Sequence, residues 1–140
     1  MKPQLLIQDL ATAGLHNGAP KATRSRLAKS ASWKRQRIIV ILPAADLIPA
    51  KVCLAAWNLA FPPNNGLVRL LAQGMEVGEA YSTAIEQVLA HPELSQWEYL
   101  LTVEHDNLPP PDGVLRLAEQ MEAHPEFACI GGLYFTSGTY

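Results

Sequence analysis

Two carboxylates one residue apart, Glu104 and Asp106, close an apolar run from Trp97 to Val103. Alternate residues of a strand point to one face, so continued strand geometry would bring both carboxylates together and turn His105 away. Converging carboxylates repel each other unless a cation or a shared proton intervenes. Hard divalent cations such as Mg²⁺ and Mn²⁺ favour oxygen ligands and bridge carboxylates to substrate phosphates. A pair of this kind would hold a diphosphate through its metal and stabilise charge developing on a leaving phosphate. The plainer reading is that these acids end a strand and organise the turn at Asn107-Leu108-Pro109. Spacing alone does not separate the two readings.

Other reactive residues carry less. His91 and His124 each precede a proline at an expected helix end, where a cation complements the helix dipole, and His16 lies in a basic N-terminal segment. No histidine or cysteine pair has zinc-ligand spacing. Cys53 and Cys129 read as two reduced core thiols, which fits a cytoplasmic protein. There is no GxSxG, Walker loop or GxGxxG. The apolar runs Ile38–Leu42 and Val52–Trp57 fall well short of the roughly 20 residues a bilayer-crossing helix needs. Met1-Lys2-Pro3 leads into no long apolar stretch, so no secretory signal is expected.

The elements that would position Glu104 and Asp106 alternate along the chain. Ile38–Leu42, largely β-branched and closed by Pro43, predicts a strand buried on both faces. Val52, Ala55, Ala56 and Leu59 recur at helical spacing between Pro49 and Phe61, with Pro62-Pro63 as the stop. Asn64-Asn65-Gly66 predicts a turn, Leu67–Leu71 a second strand and Glu79–Ala90 a helix halted at His91-Pro92. Trp97–Val103 is the third expected strand. Asp112 then caps or opens a helix bearing Val114, Leu115, Leu117, Ala118 and Met121, and Phe127–Phe135 is the fourth strand. This alternation predicts an α/β fold, a mainly parallel sheet with flanking helices. Ligands of such sheets bind outside the carboxyl ends of the strands.

Charge divides the chain. Residues 1–37 hold eight basic residues and one acid, whereas the remainder is acidic and the formal net charge is -2. Residues 1–36 are expected to form a mobile basic arm, because Thr12–Ser32 has too little apolar content to offset its ordering entropy. Trp33, the one aromatic residue of the arm, would anchor it to a surface. Residues 37–140 form the expected domain, with an apolar fraction of 49% for the whole chain.

The order of Tyr99-Leu100-Leu101-Thr102-Val103-Glu104-His105-Asp106-Asn107, Pro110-Pro111-Asp112 and Ala128-Cys129-Ile130-Gly131-Gly132-Leu133-Tyr134 resembles the central segment of family 2 glycosyltransferases and their GT-A-fold relatives. The opening strand Ile38–Pro43 is similar too, so the resemblance spans about three quarters of the chain. It implies the Rossmann-like, nucleotide-sugar-binding half of a GT-A domain, a nucleotide-diphosphate sugar donor, a divalent metal (Mn²⁺ or Mg²⁺) and hexosyl transfer to an unknown acceptor. Asp106 matches the last acid of the family's DxD-type motif and would contact the metal. Glu104 replaces the first and would face metal-bound water or the sugar. Pro43, Ala44 and Asp46 would lie near the base. The chain departs from the pattern at Gln73-Gly74-Met75, where the family carries aspartates, and at Glu79-Ala80-Tyr81-Ser82, where it often carries an arginine. Tyr81 and Ser82 would supply hydroxyl donors there, unless they simply open a helix. The resemblance further implies that the acceptor half and catalytic base fall beyond this sequence, and that a partner or that missing half covers the last strand. No catalytic residue is assigned. Two other readings stand beside this one. One is a non-catalytic interaction module of the same fold. The other is a nucleotidyltransferase, although Pro43-Ala44-Ala45-Asp46 is neither glycine-rich nor basic.

Overall fold

The computed structural model describes residue 29 and residues 34–44 and 46–132. The expected mobile arm, Trp33 within it, and the end of the expected fourth strand lie outside the described residues, apart from Lys29 and residues 34–36. Gln36, one residue ahead of the expected domain, is buried, and its Nε2 donates to Glu122 at 2.6 Å.

Strands and helices alternate as β1 (Ile38–Ala44), α1 (Ala50–Trp57), β2 (Leu67–Gln73), α2 (Val77–Ala90), β3 (Tyr99–Thr102) and α3 (Gly113–Ala123). The three strands form one parallel sheet in the order β2-β1-β3. β1 is therefore paired along both edges, which suits its run of β-branched residues with no charge. The strand does not close at Pro43, as the sequence suggests. Pro43 pairs with Ala72 and Ala44 with Gln73 before the chain leaves the sheet.

The register sorts side chains onto two faces. Ile38, Val40 and Leu42 share the first face with Tyr99, Leu101 and the odd-numbered residues of β2. There Ile38 and Val40 pack against Val114 of α3, joined by Leu59, Phe61 and Leu101. Val52 and Ala56 of α1 approach the same face near Val40 and Leu42. Ile39 and Ile41 point the other way, towards α2, which lies against β1 and β2 and buries Ala80, Ala84 and Val88. Ile41 is wholly buried, and each such isoleucine contributes about 1.5–3 kcal/mol. The crossover from β1 to β2 thus uses one face and the return to β3 the other. Reversing both direction and face keeps the same hand, as in a doubly wound sheet.

Helix ends fall where local chemistry puts them. Glu76 caps α2 by accepting from Gly78 N at 2.9 Å, so the helix starts ahead of the expected Glu79. α1 stops at Trp57, well before Pro62-Pro63. His91 follows the end of α2 and turns its ring onto the next segment: Nδ1 accepts from the Glu93 and Leu94 N–H groups, each at 3.2 Å. Asp112 occupies the N-cap position of α3 without a capping bond. It is buried and pairs with Arg116 Nε at 2.5 Å, and its Oδ1 has no hydrogen-bond partner among the described residues. Residues 127–132, expected to begin a fourth strand, are not in the sheet. Neither cysteine is a core thiol: Cys53 is half-buried and Cys129 exposed, and both are free.

Candidate functional site

All three parallel strands end along one edge of the sheet, and the chain reverses direction about β1 between β2 and β3. Loops leaving neighbouring strands diverge at such a reversal, which opens a crevice for ligands. The segments singled out from sequence, Pro43–Asp46 and Glu104–Asp106, follow the two strands that meet there.

The acidic segment is a turn and not a continued strand. The last ladder bond runs from Val103 N to Ile41 O at 3.0 Å, and Asn107 N then donates to Glu104 O at 3.2 Å. His105 and Asp106 are the two central residues of that turn. Strand alternation therefore does not govern where the carboxylates point, and convergence cannot be argued from it. Glu104 and Asp106 are both exposed, while His105 is half-buried. Neither acid belongs to a salt bridge among the described residues.

The β1 segment divides. Pro43 and Ala44 are buried, and Ala44 O accepts from Gly74 N at 2.9 Å. Both are paired in the sheet, Pro43 with Ala72 and Ala44 with Gln73. Asp46 is exposed, and its carbonyl accepts from Gln73 Nε2 at 3.2 Å, which ties this loop to the β2 side of β1. Gly74, whose N–H bonds Ala44 O, has a φ of 74°, which a side-chain-bearing residue rarely takes. Asp46 is thus anchored on one side of β1 and the acidic turn on the other.

Tyr81 joins the acidic turn from α2. Glu104 and Thr102 are the polar groups that act on its hydroxyl. Burial foremost, then the negative charge of Glu104 and a hydrogen bond to it, raise the tyrosine above its ordinary range, against a bond with Thr102 that lowers it. From sequence Tyr81 is one of two hydroxyl candidates. The cue that singles it out is facial, because Thr102 pairs with Ile41 on the side of the sheet that α2 covers. Ser82, one position on, is exposed.

For a divalent cation, Glu104 and Asp106 offer two exposed carboxylates in one turn. That suits Mg²⁺ or Mn²⁺, which keep several waters and take remaining ligands from phosphate. Among the described residues no group of three or more His, Cys, Asp or Glu side chains gathers to hold a metal. A cation here would depend on ligands from its substrate. No described helix is long and apolar enough to cross a membrane. Comparison of this chain with protein-family models, with curated proteins and with solved structures gives no match.

Proposed function

We propose that this chain carries the nucleotide-sugar-binding half of a GT-A-like glycosyltransferase, in which Asp106 and Glu104 hold the donor diphosphate through Mn²⁺ or Mg²⁺. The observation that carries the reading is the position of the acidic turn. It stands at the carboxyl edge of a doubly wound parallel sheet, beside the strand about which the chain reverses. The resemblance in residues 99–112 supports the same assignment. A divalent cation bound there would stabilise negative charge on the departing diphosphate as an acceptor hydroxyl attacks the sugar. Asp106, exposed at the centre of the turn, contacts the metal, and Glu104, held beside Tyr81, orients metal-bound water or the sugar. Asp46 is the remaining candidate for the base. Its anchoring towards β2 suits a nucleotide lying across the end of β1.

The test is calorimetric titration with UDP-, GDP- and dTDP-sugars, each with and without Mn²⁺. One nucleotide should bind only with metal, and Asp106→Ala should weaken it at least tenfold while the circular dichroism spectrum stays unchanged. Folded protein that binds none of them in Mn²⁺ would overturn the reading and favour an interaction module of the same architecture.

A further inference from the structure

The first face of the sheet is incompletely filled beneath α1. A cavity of about 210 Å³ remains there, bounded by Leu42, Ile48, Val52 and Ala56 on one side and Val103 and Pro109 on the other. We propose that this cavity binds the aliphatic chain of an amphiphile whose head group carries no negative charge.

Size and chemistry both point to hydrocarbon. Apolar cavities of about 150 Å³ lined by Leu, Ile and Phe admit benzene, and this one, open at a mouth, has room and lining for hydrocarbon. A nucleobase is a poor occupant. Its edges need donors and acceptors, and leaving them unpaired costs about 1–3 kcal/mol each. Among the described lining residues only Arg69 and Asn107 are polar. The aromatic surface offered by Phe61 is already taken, since the Arg69 guanidinium lies 5.2 Å from its ring centroid. The other lining residues named here offer only aliphatic surface.

The mouth defines the head group. Leu42 and Ile48 bracket the loop carrying Asp46, and Val103 and Asn107 bracket Glu104–Asp106, so the cavity reaches the same carboxyl edge as the acidic turn. Leu47 and Leu108, next in sequence to lining residues, are 86% and 61% exposed and extend the apolar surface outwards. Neither segment carries Lys or Arg, whereas Asp46, Glu104 and Asp106 supply three negative charges. An anionic head would be repelled at close range, and a hydroxylated, neutral one would not. The site goes beyond the donor assignment and does not depend on it, because the residues that hold the chain are not those that would hold the metal.

The test uses the full chain and octyl glucoside below its micelle-forming concentration, followed through methyl resonances. Saturable shifts should appear at Ile48, Val52 and Leu59, while Ile39 on the opposite face stays unmoved. Ala56→Phe, which fills the cavity, should weaken binding at least tenfold. Should that variant fail to fold, Overhauser contacts between the octyl chain and the Ile48 and Val52 methyls of the unaltered protein decide the matter. Three results would each overturn the proposal: no saturable shift, shifts spread over both faces, or contacts to residues 1–28 or 133–140 showing that the chain fills the cavity itself. Octyl glucoside should bind equally well with and without Mn²⁺, which keeps failure of the metal site distinct from failure of this one.

Discussion

The Tyr81 phenol is subject both to burial and to the charge of the Glu104 carboxylate. Burial and the Glu104 charge both disfavour the tyrosinate, so the folded pKa lies above the unfolded value of about 10. The stabilising contribution is then complete below pH 10 and is lost as pH rises through the folded value. Tyr99 behaves alike, raised first by burial and then by Glu122 and Glu98. Ultraviolet titration should therefore find two late-ionising tyrosines, and Tyr81→Phe should leave one while flattening the alkaline loss of stability. Two late-ionising tyrosines still present after that substitution would mean that Tyr81 does not sit beside Glu104 as described. At this scale the sequence was informative about place and not about direction. An apolar run ending in acids located Glu104 and Asp106 at the sheet edge. Which way they face depends on the Asn107 hydrogen bond, a choice of backbone path that spacing does not encode.

Between residues and molecule stand the turns and ends of the elements. Before β2 the chain turns at Asn64, whose Oδ1 accepts from Gly66 N at 2.7 Å while its Nδ2 donates to Gln36 O at 3.0 Å. Gly66 sits so close to Arg37 that a Cβ would overlap the arginine stem. Gly66→Ala should cost about 1–3 kcal/mol in denaturant unfolding, since the clash is with backbone as well as side chain. Arg37 in turn lies 5.7 Å from the Trp97 ring centroid and bonds Glu98 at 3.2 Å. Burial alone would raise the Glu98 carboxyl, but hydrogen bonds from Arg37 and its charge outweigh burial and lower it. This increment is present above the ordinary carboxylate range and disappears as pH falls through the depressed value. Arg37→Ala should remove that part of the acid limb of stability, as measured by thermal melts from pH 7 to 3. The hydrophobic pattern made the element types legible, because strands read as short β-branched runs and helices as recurrences of three and four residues. Boundaries and residues 127–132 were not legible. α1 ends without a proline to stop it, and Cys129 to Gly132 has a strand-like composition although no pairing follows.

For the whole molecule, the core depends on two layers sharing β1. Leu115, wholly buried on α3, and Ile41, wholly buried on the sheet, are the residues whose truncation should be felt most. Leu115→Ala and Ile41→Ala should each destabilise by about 2–5 kcal/mol in urea unfolding, with unchanged denaturant dependence if the native compactness is kept. The strand order has one more consequence, which concerns the growing chain on the ribosome. β1 emerges first, yet its partners are residues 67–73 on one edge and residues 99–102 on the other. Until residue 102 has been made, the most apolar segment of the protein has a bare backbone edge, and non-local parallel pairing closes slowly. Nascent chains ending between β2 and β3 would therefore be the species most prone to capture by chaperones or to self-association.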